Sequence, residues 1–491
     1  MDRFSRVNNL DFSAIVVTLA SIVFYIFFVF FFQMVKNGSV ECSQPLIVFL
    51  SWVGIVCVVV YLIIWKRTFG TIFTLFSFFL LFYTFFNFGQ CFLWAFGIHP
   101  DNEIGRVLLF SSVKSSNELI VEAQLLFIIS FVFINCGALL SFNKLYYLRL
   151  NPFYEKGNDM DLANNVKYRA LLYASIIVGL VSIPATLFRT YLFSQFVIKY
   201  GYALVGTTAT DSINGALMNV LSSLFMPSLI GIIIGSSFKK EARIFAYSVF
   251  FVYAILSTMA GDRGEWITRL LVLIWLEFSY CRKISIKTGT KILTVGLVGL
   301  WLVQAATSLR NLGGVTVEKL IDALISMDSN PIISCLIEFG HSMAIVMILL
   351  SRSIVYPYGN TYVMSVLTMV SPGLTNGILG TNYIELQEWF PQHVLYISYG
   401  SDFSMLGEAV LNFGAYLAPL FLLVVGIVVF KITYFPYRRG LNPFFLCMSL
   451  NVAALLFKYP RSSTWFVLNY SIFGFLILGC VYLFFVSLNE K

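Results

Sequence analysis

Runs of about twenty apolar residues recur along this chain, and each is long enough to cross a bilayer as an α-helix rising 1.5 Å per residue. They lie near 12–35, 45–65, 71–97, 119–140, 168–192, 213–235, 243–260, 265–281, 290–309, 404–430, 441–457 and 464–487. Such a segment has no water for its backbone, so each peptide group must be paired internally, which selects helices over irregular structure. The expectation is an all-α, polytopic integral membrane protein with about twelve spans, forming a single transmembrane domain over 1–491. Only 11% of the residues are charged and 59% are hydrophobic. A soluble domain carries roughly 25% charged residues, so a water-soluble fold of this size is excluded. The first run exceeds the apolar core of a signal peptide and no small-residue cleavage site follows it, so it reads as a retained anchor.

Alternate loops set the orientation. Arg3 and Arg6, Lys66 and Arg67, the group from Lys144 to Arg169, Lys239, Lys240 and Arg243, the group from Arg282 to Lys291, and Lys431, Arg438 and Arg439 all fall on one side. By the positive-inside bias that side is cytoplasmic, and both termini belong to it. The formal charge of +8 is explained in the same way. No basic run exceeds two residues, so nucleic acid is not an expected partner. The eight cysteines show no paired spacing and mostly sit within apolar runs, which argues against a disulfide framework or a zinc site. There is no internal repeat, phosphate-binding glycine loop or heptad seam.

One stretch breaks the pattern. Residues 310–403 contain an apolar run at 332–350 and a second at 361–380, interrupted by Ser371-Pro372-Gly373. If both cross, the chain has fourteen spans; if both remain outside as re-entrant or surface helices, it has twelve. A Ser-Pro-Gly break is costly in a lipid-facing helix. The preferred reading is therefore one large outer loop, 310–403, between spans nine and ten, where functional residues are expected to concentrate.

Several polar residues on the outer side call for an explanation. Arg263 occupies the short Gly261-Asp262-Arg263-Gly264 turn, Arg310 ends span nine, Arg189 ends span five, and Arg352 follows the first apolar run of the long loop. All four oppose the charge bias. Snorkelling to the headgroups is one reading; an anion site is the other, because a guanidinium fork binds phosphate oxygens bidentately and stays charged. Arg269 lies one turn beyond Glu265, an i,i+4 order that favours an ion pair. His341, in the long loop with Glu338 and Arg352, is a candidate general base. Glu408 opens span ten beside Asp402, with Asn412 one turn on, and either pairs with a cation or acts on substrate. Tyr358 and Tyr362, among other loop aromatics, suit sugar stacking or an interfacial belt.

Three segments then resemble the O-antigen polysaccharide polymerases of the Wzy type. They are Gly261-Asp262-Arg263-Gly264; the stretch from Leu336-Ile337-Glu338-Phe339-Gly340 through Tyr356-Pro357-Tyr358-Gly359-Asn360-Thr361-Tyr362 to Ser371-Pro372-Gly373-Leu374; and Gly400-Ser401-Asp402-Phe403-Ser404 through Glu408 to Asn412-Phe413-Gly414. The resemblance implies a metal-independent glycosyltransferase in the bacterial inner membrane, with the long loop in the periplasm and no cofactor. Its substrate would be an undecaprenyl-pyrophosphate-linked oligosaccharide, moved onto the non-reducing end of a new repeat unit; a chain-length regulator is an implied partner. On this reading Arg263, Arg310, Arg189 and Arg352 hold the pyrophosphate. His341 or Glu408 takes the acceptor proton, and Tyr358, Tyr362 and Asn412 meet sugar. A flippase or other transporter and an O-antigen ligase are the competing readings. The transporter ranks lower because paired repeats and midplane charges are missing.

Overall fold

The computed structural model describes residues 2–110, 113–142, 165–201, 215–262, 264–282, 330–354, 359–397, 402–437 and 441–489, with a few isolated positions between 289 and 301, and side chains from residue 19 onward. The chain is an all-α membrane protein. In order come α1 (Asp2–Lys36), α2 (Gln44–Phe69), α3 (Leu75–Ala95), α4 (Asn117–Ser141), α5 (Val166–Tyr200), α6 (Ala216–Ser223), α7 (Phe225–Gly235), α8 (Lys240–Met259) and α9 (Gly264–Leu276). Then follow α10 (Pro331–Gly340), α11 (Met343–Ser351), α12 (Asn360–Leu367), α13 (Pro372–Leu379), α14 (Leu386–Trp389), α15 (Met405–Tyr434), α16 (Pro443–Lys458), α17 (Thr464–Phe473) and α18 (Gly479–Asn489). A two-stranded ribbon, Leu108–Leu109 with Val113–Lys114, lies between α3 and α4.

Among the described residues eleven helices or helix pairs are long and apolar enough to cross a membrane, or twelve if one sharply bent pair counts as a span. Ten coincide with expected spans. The run 265–281 is absent from this set because Glu265, Arg269 and Glu277 lie within it, and 290–309 falls outside the continuously described residues. The eleventh is 331–351, a run that the sequence places in the outer loop.

Contacts give the relative direction of the helices. Ser404 Oγ donates to Asn87 Oδ1 at 2.9 Å, while Leu75 N donates to Tyr437 OH at 3.3 Å. Thus α3 and α15 are antiparallel. Gln124 donates to the Ile47 carbonyl and Trp65 to Asn135, so α2 and α4 run together. A Cβ at Gly137 or Gly426 would collide with the carbonyl of Leu423 or Ile134, so α4 and α15 touch backbone to backbone, the close approach that small residues permit between membrane helices. One end of the bundle, called upper here, therefore holds Ala95, Asn117, Met405 and Lys458; the lower end holds Phe69, Leu75 and Tyr434.

The helix α9 runs in the same direction as α15, because Trp275 Nε1 donates to Tyr437 OH (3.1 Å) and Tyr280 OH to the Pro436 carbonyl (3.0 Å). Between Cys281 and Met405 the chain has therefore returned to the upper end. Although 331–351 has the length of a span, its contacts cluster at that end. Gly340 packs on Gly89 and Gln90, His341 meets Phe110 of the α3–α4 connection, Ile345 and Leu349 flank Gly407, and Arg352 donates to the Val394 carbonyl. The Ser-Pro-Gly break bends α12 against α13 by 108°. Ser371 caps α13 by accepting from Leu374 N, with Pro372 in the first turn, where its missing N–H costs nothing.

Candidate functional site

The upper end gathers a cluster of buried and half-buried charged side chains, and the turn between α16 and α17 lies at its centre. This turn reads Lys458-Tyr459-Pro460-Arg461-Ser462-Ser463-Thr464. Pro460 cannot continue α16, so the chain tightens into one short 3₁₀ turn. Ser463 then caps α17, accepting from Phe466 N. Asn87 of α3 fixes the turn from below by donating to the Pro460 carbonyl at 3.4 Å.

Two carboxylates hold the same turn from either side. Glu408, in the first turn of α15, is completely buried. Its Oε1 accepts from Thr361 Oγ1 at 3.0 Å, and its Oε2 accepts from Thr464 N at 2.8 Å and Thr464 Oγ1 at 2.9 Å. Asn412 completes the knot: its amide nitrogen donates to Thr361 Oγ1 and to the Glu408 carbonyl, both at 2.7 Å, and its oxygen accepts from Thr361 N. A buried charge in a membrane protein is expensive unless its lone pairs are satisfied; here three neutral donors from two other elements, α12 and α17, do so. The second carboxylate, Glu385, lies in the loop before α14 and is partly exposed. Its Oε1 accepts from Ser463 Oγ at 2.5 Å. Burial pushes the Glu385 carboxyl up to about 7, against a weaker downward pull from the Ser463 hydroxyl.

Cations from three elements stand beside the turn. Arg461 pairs with Asp402 (Nε–Oδ2 2.7 Å), with side chains 25% and 39% exposed, and covers the Phe86 ring. Lys458 lies over the Phe466 ring at 4.6 Å and interacts electrostatically with Glu265, Asp402 and Asp262. Arg189 of α5 donates to Ser222 Oγ at 3.1 Å and feels the charge of Glu265. Glu265 and Arg269 form the expected i,i+4 pair, and Arg269 also donates to Tyr253 OH at 3.0 Å. Gly261 takes φ +80°, a left-handed conformation that a β-carbon disfavours; it lets Asp262 fold back and cap α9 through Gly264 N and Glu265 N. Among the described residues no cluster of three His, Cys, Asp or Glu is arranged to hold a metal ion.

The model of the family described as O-antigen polysaccharide polymerase Wzy matches residues 16–491. The chain belongs to that family. No curated protein and no solved structure matches it. Membership makes the chain a multi-pass membrane glycosyltransferase of the polymerase type, acting in polysaccharide biosynthesis on lipid-linked oligosaccharide.

The expected site residues of this Wzy protein divide into distinct surroundings. Arg189 and Glu408 stand in the upper cluster. Arg352 is exposed and directed to the Val394 carbonyl. His341 ends α10, half-buried, with its ring edge-on to Phe110 and the charges of Arg461 and Glu338 nearby. Tyr362 is wedged against Phe413 and Phe421, and the Asn412 amide is committed to Thr361 and Glu408. Arg263, Arg310 and Tyr358 lie outside the described residues. Sequence reasoning passed over Lys458, Arg461, Glu385, Thr361 and Thr464. The two cations carried a usable signal, since they bracket a Tyr-Pro on an outer turn and oppose the charge bias as the noted arginines do.

Proposed function

We propose that this protein joins undecaprenyl-pyrophosphate-linked repeat units at the periplasmic face of the bacterial inner membrane. The growing chain leaves its lipid pyrophosphate and is transferred to the non-reducing end of a new lipid-linked unit, without a metal. The upper end of the bundle is the periplasmic end, and both termini are cytoplasmic. The observation that carries this reading is the gathering of Arg189 from α5 with Lys458 and Arg461 from the α16–α17 turn at one end of a membrane bundle. A leaving lipid pyrophosphate develops negative charge, and fixed cations in a water-poor site stabilise it without reorganisation. Arg263, next to Asp262, and Arg310 belong to the same anion site in this proposal. Glu408 is a positioning residue: both of its oxygens are engaged, so it sets where the 458–464 turn lies. His341 stands on the acceptor side.

The test is elongation of lipid-pyrophosphate-linked repeat units by the full-length protein in proteoliposomes, read as a polysaccharide ladder. Lys458→Gln and Arg461→Gln should each remove long chains and leave single repeat units, with the protein still inserted in the membrane. Ladders of normal length from both variants would overturn the pyrophosphate site. Failure of the wild-type protein to extend such units would overturn the polymerase reading itself.

A further inference from the structure

We propose that Glu385 is the proton acceptor for the attacking sugar hydroxyl, and that the 458–464 turn couples this base to the anion site. The inference rests on the polymerase reading above and adds a residue to it.

The geometry separates the carboxylates of the upper end by availability. Glu408 is fully buried with both oxygens engaged by Thr361 and Thr464. Asp402 is paired with Arg461 and Glu265 with Arg269. Glu385 is partly exposed; its one side-chain partner is Ser463, on Oε1, its other donors are the backbone N–H groups of Gln387 and Glu388, and no cation pairs with it among the described residues. Ser463 lies two residues beyond Arg461, so a single rigid turn carries a cation and the hydroxyl that orients the carboxylate. The loop before Glu385 is also fixed: Asn376 donates to the Tyr383 carbonyl at 2.8 Å and accepts from Thr381 Oγ1 and Tyr383 N. Preorganisation of this kind is what a positioned base requires.

In the reaction, the acceptor hydroxyl oxygen forms a bond to the anomeric carbon of the donor sugar. The bond from that carbon to the lipid pyrophosphate breaks, and its electron pair leaves on the phosphate oxygen beside Lys458 and Arg461. The hydroxyl proton passes to the Glu385 carboxylate. A carboxyl titrating at about 7 is matched to such a transfer near neutral pH. The charged groups that face it are Glu388 of α14, which keeps its proton affinity high, and Glu408 across the start of α17, while the backbone N–H groups of Gln387 and Glu388 pull the other way.

The experiment measures kcat and KM for elongation in proteoliposomes as a function of pH. Wild-type protein should show an acid limb near pH 7. Glu385→Gln should lose on the order of 10²–10⁴ in kcat with little change in KM for the lipid-linked acceptor. Ser463→Ala removes the hydrogen bond that favours the ionised form, so its acid limb should move to higher pH. Wild-type kcat in Glu385→Gln would overturn the assignment. If Glu385→Gln does not accumulate in the membrane, an acid limb unmoved by Ser463→Ala overturns it instead. Normal elongation by Glu385→Gln with loss in Arg461→Gln removes the base but keeps the anion site, whereas absent elongation in wild type removes both. Full loss in His341→Gln beside full activity in Glu385→Gln would transfer the role to His341.

Discussion

Removing the Glu408 carboxylate should loosen the upper end by an amount that follows from its partners. In Glu408→Ala three donors lose their acceptor: Thr361 Oγ1, Thr464 N and Thr464 Oγ1. The Thr464 hydroxyl can turn to Tyr459 OH, which lies 2.7 Å away, but the pair holds one hydrogen bond whichever donates, so one of the two protons is stranded. The Thr361 hydroxyl cannot recover either, because its remaining partner, the Asn412 amide nitrogen, only donates to it. Thr464 N is the first N–H of α17 and has no intrahelical acceptor. Three stranded donors at about 1–3 kcal/mol each give a loss of about 3–9 kcal/mol. Glu408→Gln should cost less, about 1–3 kcal/mol. Its amide oxygen serves Thr464, while its amide nitrogen turns on Thr361 Oγ1 and strands only that hydroxyl's proton. Unfolding titrations in mixed detergent micelles should therefore rank wild type above Glu408→Gln above Glu408→Ala. In a Thr361→Val background the cost of Glu408→Ala should fall by about 1–3 kcal/mol, because one stranded donor is already gone. Equal stability of Glu408→Ala and wild type, or strictly additive costs in the cycle, would refute the clamp.

Two further outcomes are expected. The Glu385 carboxyl is raised from 4.5 to about 7, so the folded protein holds this proton more tightly than the unfolded chain. Its contribution to stability is complete below pH 4.5 and is lost as pH rises to about 7; thermal midpoints at pH 5 and pH 8 should differ more in wild type than in Glu385→Gln. Gly340→Ala should destabilise by about 1–3 kcal/mol, because the new Cβ would stand 2.5 Å from the backbone nitrogen of Gln90, which cannot move aside cheaply. Gly373→Ala, with nothing within 4 Å, is the control and should melt like wild type.

The membrane spans were legible because their signal is local: an apolar run of sufficient length declares itself without any partner. Local chemistry likewise gave the Ser371-Pro372-Gly373 bend and the Glu265–Arg269 pair, one turn apart. The run at 331–351 was not decidable from length. What distinguishes its arrangement is Gly340 against Gly89 and Arg352 against Val394, contacts that join distant parts of the chain. Glu408 posed the same difficulty. Its expected cation partner is replaced by Thr361 and Thr464, which lie 47 and 56 residues away and bear no charge to advertise them. Lys458 and Arg461 were readable by the charge rule, but they fall at a span boundary, where a basic residue looks ordinary until the side of the membrane is considered.

A buried ionisable group can often be exchanged for a well-packed apolar one without loss of stability, so the Glu408 knot is difficult to justify as a stability device alone. Its value lies in what it connects. Thr361 belongs to the bent α12–α13 pair, Glu408 and Asn412 to α15, and Thr464 to the turn that carries Lys458 and Arg461. An apolar substitute could fill the same volume, but it would not fix the direction of a backbone N–H at the start of α17. A displacement of about 1 Å at that point separates the cations from Glu385 and can cost about 10²-fold in rate. The knot therefore converts the burial cost of one carboxylate into a fixed spacing between a leaving-group site and a base. On this argument an isosteric Glu408→Gln should impair elongation mainly through kcat, and Thr464→Val should do the same although it touches no substrate.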